Sequence, residues 1–127
     1  MTLPNQLLHS VQPYFISVAP LAGLSVISQR CAEARRLLER ALLPESLRNR
    51  LVRNWSYVEN FCIELAERWD LEDQDEGFRQ RRHYDYYTML PALLCEHVTY
   101  TTKQLLANCP QSDLPRRWQQ TWVIDYD

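Results

Sequence analysis

The chain has 127 residues, 46% of them apolar and 24% charged, with a formal net charge of -2. That length supports one core rather than two, and the balance excludes a disordered chain or a strongly basic, free-standing nucleic-acid binder. Two glycines against seven prolines favour helices joined by short connections over a strand-rich fold. The expected architecture is therefore an all-α small helical bundle, one helical domain over 1–127, built on an antiparallel helix hairpin.

Residues 1–20 hold three prolines and read as an irregular N-terminal segment. Leu3, Leu7, Leu8 and Val11 carry one short helix, and Tyr14 to Ala19 form an extended stretch over the core. The first strong helix spans about 24–42, with Leu24, Ile27, Cys31, Ala34, Leu38 and Ala41 recurring every three or four residues. Leu43-Pro44 ends it, and Pro44 suits the first turn of the next helix.

That second helix, about 44–69, carries the longest seam: Leu47, Leu51, Trp55, Val58, Cys62, Leu65 and Trp69. Only an α-helix puts those positions on one face. With almost no residues between the two helices, they must pack antiparallel. The acidic run from Asp70 to Gly77 then reads as a solvated connection.

A long third helix begins near Glu76, with Tyr86, Leu90, Leu93, His97, Tyr100 and Gln104/Leu105 at helical spacing. Pro91 lies inside it and cannot donate to the carbonyl of Tyr87, so the helix is expected to kink or split there. Cys109-Pro110 ends the region. A last short helix from about Asp113 to Val123 has Pro115 in its first turn and Trp118 and Trp122 one turn apart.

Charge is unevenly spread. From Leu24 to Asn54 seven arginines (30, 35, 36, 40, 48, 50, 53) face three glutamates, a net of +4, whereas Trp55 to Phe78 sums to -7. The molecule is expected to be electrically two-sided.

The chemistry-bearing motifs fail one by one. A carboxylate-bridged metal site in a bundle needs Glu-x-x-His, but Gln80 and Leu94 precede His83 and His97 by three. His97 instead reads as a core or boundary histidine. An EF-hand starting at Asp73 would place Gly77 at position 5 and Tyr84 at position 12, which does not fit a calcium loop. Cys95 and His97 are two apart on a helix and point away from each other, so they form no dyad. Phosphate loops, nucleophile elbows and zinc-helix motifs are missing, as are Cys-x-x-Cys pairs among cysteines 31, 62, 95 and 109. No catalytic residue, metal or cofactor is expected.

The first basic residue is Arg30, and the apolar stretch from Tyr14 to Ile27 is too short to span a bilayer. A cytoplasmic protein with reduced thiols and no membrane segment is the simplest expectation.

Two function classes then stand. The first is a non-enzymatic protein acting through protein contacts, as an adaptor, chaperone, inhibitor or assembly subunit, with a second copy or another chain as partner. Its contact residues are expected among Arg79, Arg81, Arg82, Tyr84, Tyr86, Tyr87, Trp118 and Trp122, because arginine, tyrosine and tryptophan dominate interfaces. The two tryptophans either dock on their own bundle, the commoner arrangement, or enter a partner's groove. The alternative is a subunit of a larger ribonucleoprotein or DNA complex. There Arg36, Arg40, Arg50 and Arg53 would form one phosphate-contacting face, with Trp55 or Tyr57 available to stack on a base.

Overall fold

The computed structural model describes residues 19–69 and 76–122. The short N-terminal helix, the extended segment before Ala19 and most of the acidic connection lie outside the described residues. Five α-helices follow in order: α1 (Pro20–Glu39), α2 (Glu45–Trp69), α3 (Glu76–Tyr84), α4 (Leu90–Asn108) and α5 (Leu114–Thr121). A π-helical turn, Asp85–Met89, joins α3 to α4. Every regular element among the described residues is helical, as the glycine scarcity and the 3.6-residue periodicity required.

Helix α1 begins earlier than the apolar stripe indicated. Pro20 opens it rather than ending the preceding segment, since a proline in the first turn forgoes an N–H that would have had no partner. The helix also stops earlier, with Arg40 as its C-cap. A turn follows in which the N–H of Ala41 donates to the carbonyl of Leu38 and that of Leu43 to Ala41. Ala41 and Leu43 thereby point inward while Leu42 is left 95% exposed.

Helices α1 and α2 lie side by side. The buried Cys31 of α1 neighbours the buried Cys62 of α2, and Arg35 reaches Glu59 at 3.2 Å. Numbers that rise along one helix fall along the other, so the pair is antiparallel. The seam of α2 is buried from Leu51 to Trp69, with Leu47 partly covered at its start.

The region around Pro91 is helical on both sides of the π turn. The N–H of Leu90 donates to the carbonyl of Asp85, the i to i-5 pattern of a widened turn. The widening falls where Pro91 offers no N–H and its ring crowds the carbonyl of Tyr87, which makes it the local response to the proline. The buried stripe beyond it is Leu94, Val98, Thr101, Thr102 and Leu105. Leu93, His97 and Tyr100, expected inside, flank it and are only partly covered.

The stripe is displaced because two threonines replace apolar residues on the inner face. Thr101 accepts the indole N–H of Trp55 and Thr102 that of Trp118, both at 3.0 Å. A buried indole N–H requires an acceptor, and a threonine meets that need with little bulk. Helix α5 packs across α1 and α4, bringing Trp118 and Trp122 onto Trp55. The ring centroids of this tryptophan triad are 4.8 to 5.9 Å apart.

Candidate functional site

The polar-aromatic segment expected to make contacts divides once folded. Tyr86 is fully buried, its hydroxyl lying against Gly23 of α1 where a side chain would otherwise stand. Arg82 donates to the carbonyl of Trp69, the last residue of α2, and its guanidinium sits 4.9 Å from the centre of the Trp69 ring. A cation there satisfies an end carbonyl and complements the negative pole of the helix dipole, so Arg82 is an architectural residue.

The remaining members stay outside. Tyr84 and Tyr87 are 55% and 44% exposed, and Arg79 and Arg81 are exposed on α3. His83 stacks on Tyr87 with centroids 5.8 Å apart and planes within 11°, and its ring also approaches Trp69. Arg81 lies over Phe78 at 5.9 Å. An exposed stacked pair of this kind holds two rings in a fixed relation.

Trp118 and Trp122, also expected at a contact surface, have no exposed surface at all. They complete their own core, because α5 is short enough to fold back across α1 and α4 and the two indoles fill the space beside Trp55.

The arginines expected to form one basic face line two separate depressions. Arg36 and Arg40 border a cleft of about 740 Å³ between α1, the Arg40–Pro44 turn and α5, and Arg117 joins them from α5. Arg50 and Arg53 border a different, shallow one with Ser46 and Asn49. Arg50 is drawn toward α4, donating to the hydroxyl of Tyr100 at 3.0 Å. Trp55 is fully buried and cannot stack on a base, although Tyr57 is exposed. Arg117 was not singled out by sequence because nothing in the linear chain places α5 beside α1.

No family model, curated protein or solved structure matches this chain. The surfaces themselves therefore carry the functional reading.

His97 is half-buried, its ring centre 6.0 Å from that of Trp55 in an edge-on arrangement; desolvation pulls its pKa below the ordinary imidazole value, against a smaller upward pull from Glu96. Its neighbour is an aromatic ring. Burial pushes the Cys31 thiol well above its ordinary pKa, with further upward contributions from Cys62 and Glu59, which keeps it protonated. No three His, Cys, Asp or Glu side chains among the described residues converge as a metal site, and none of the described helices is long and apolar enough to cross a membrane.

Proposed function

We propose that this protein is a non-enzymatic, cytoplasmic helical protein that works through protein-protein contacts, as an adaptor, chaperone, inhibitor or assembly subunit. The observation that carries this reading is the exposed ring surface of Tyr84, His83 and Tyr87 at the junction of α3 and the π turn, beside Arg79 and Arg81. Large, preordered aromatic groups next to arginines are the composition of interface hot spots, and the core already has its own aromatic filling in the tryptophan triad. Four thiols without a disulfide suit a reducing compartment.

The test compares the tagged protein with a Tyr84→Ser/Tyr87→Ser variant in affinity purification from the native host, alongside light scattering. The wild type is expected to retain a defined partner, or a second copy of itself, that the variant loses. A strictly monomeric wild type that retains nothing would overturn the reading.

A further inference from the structure

We propose that the cleft between α1, the Arg40–Pro44 turn and α5 binds an acidic segment of a partner protein that also carries apolar side chains. This site is distinct from the aromatic surface of α3. Four arginines line it, Arg30, Arg36, Arg40 and Arg117, and of these only Arg30 has an acidic partner among the described residues. The two acids of the lining are already engaged: Glu33 with Arg30 at 3.4 Å, and Asp113 with Arg116 at 2.7 Å. Among the described residues no acid pairs with Arg36, Arg40 or Arg117.

The fold accounts for only part of this charge. Arg36 and Arg40 lie at the C-terminal end of α1, where cations complement the helix dipole. Arg117 has no such role. It lies in the N-terminal half of α5, where the dipole disfavours positive charge, and Asp113 there is already held by Arg116. An unpaired arginine in an electrostatically unfavourable place, lining the same cleft as two unpaired arginines of a different helix, is explained by an anion arriving from outside.

The rest of the lining selects the kind of anion. Leu37 and Leu114 are partly buried in the cleft wall, and Leu42 stands on its rim almost wholly in solvent. No aromatic ring lines the cleft, so it offers nothing on which a base could stack, and the other basic depression is a separate one. Carboxylates for the arginines and methyl groups for the leucines describe an acidic, leucine-bearing peptide better than a polynucleotide.

A fluorescein-labelled peptide of aspartates interspersed with leucines serves as the probe, with fluorescence anisotropy at low and high salt as the readout. Binding is expected at low salt and should weaken as salt rises. Arg36→Gln, Arg40→Gln and Arg117→Gln should each weaken it roughly tenfold, the size of one lost charge-assisted hydrogen bond. Leu42→Ser should weaken it severalfold, and a peptide with asparagine in place of aspartate should not bind. All four positions are exposed, and circular dichroism of each variant checks that the fold is retained.

Peptide binding that is unchanged in the triple arginine variant overturns the proposal. So does tighter, arginine-dependent binding of a single-stranded oligothymidine, which would assign the cleft to nucleic acid. The Tyr84→Ser/Tyr87→Ser variant should bind the peptide as the wild type does. Loss of a partner through those tyrosines with no peptide binding at the cleft would leave the first reading standing and sink this one.

Discussion

Trp55 shows at the scale of single residues how a polar need is met inside an apolar core. Its ring touches both other members of the triad while its one polar atom donates to Thr101. Thr101→Val keeps the shape and removes the acceptor, leaving a buried N–H without a partner. The expected loss is about 1–3 kcal/mol of unfolding free energy, measured by urea denaturation. Thr101→Ser, which retains the hydroxyl, should lose less; a larger loss for serine than for valine would show that the methyl group and not the hydrogen bond matters. Sequence periodicity chose Tyr100 over Thr101 because hydropathy ranks side chains by affinity for water, and a threonine bonded to an indole has already exchanged water for a better-placed partner.

Between elements, the contact of α1 with the π turn depends on one missing side chain. A Cβ on Gly23 would overlap the Tyr86 hydroxyl. Alanine is the better helix former by about 1 kcal/mol, yet Gly23→Ala should destabilise the protein, by about 1–3 kcal/mol, as overpacking outweighs propensity. Tyr86→Phe in the same chain removes the overlapping oxygen, so the double variant should be more stable than the two single losses added together. Thermal and urea midpoints of the four proteins give that coupling; simple additivity would show that Gly23 and Tyr86 do not constrain each other. Periodicity placed Tyr86 correctly on the stripe but could not show its neighbour, because the approach of two helices is set by atoms far apart in sequence.

Across the whole molecule, the two surfaces are built from different elements. The arginine cleft borders the turn just before Glu45, and the aromatic surface is tied to Trp69 through Arg82 and His83. The stability of the fold is expected to depend on pH. The pKa of His97 is lowered on folding, chiefly by desolvation, so the unfolded chain binds the proton more tightly. Its contribution to stability is present above the ordinary imidazole pKa of ~6.5 and is lost as pH falls through the lowered folded value. Urea midpoints taken from about pH 7 to pH 5 should therefore drop for the wild type and drop less for His97→Gln. Parallel curves would remove His97 as the cause.

The all-α class, the two long stripes and the seam from Leu51 to Trp69 were legible in the chain, because helical periodicity is local and buried faces repeat every three or four residues. Local signals also found the helix after Asp113. What they could not rank was which aromatic and basic residues would remain outside. Tyr86, Trp118 and Trp122 share their chemistry with Tyr84 and Tyr87, and Arg82 shares its own with Arg81. Only the tertiary structure separated them, by seating α5 across α1 and α4 and a π turn against Gly23. That same packing brought Arg117 to Arg36 and Arg40 across more than seventy residues of chain, since burial and charge convergence depend on which helices meet.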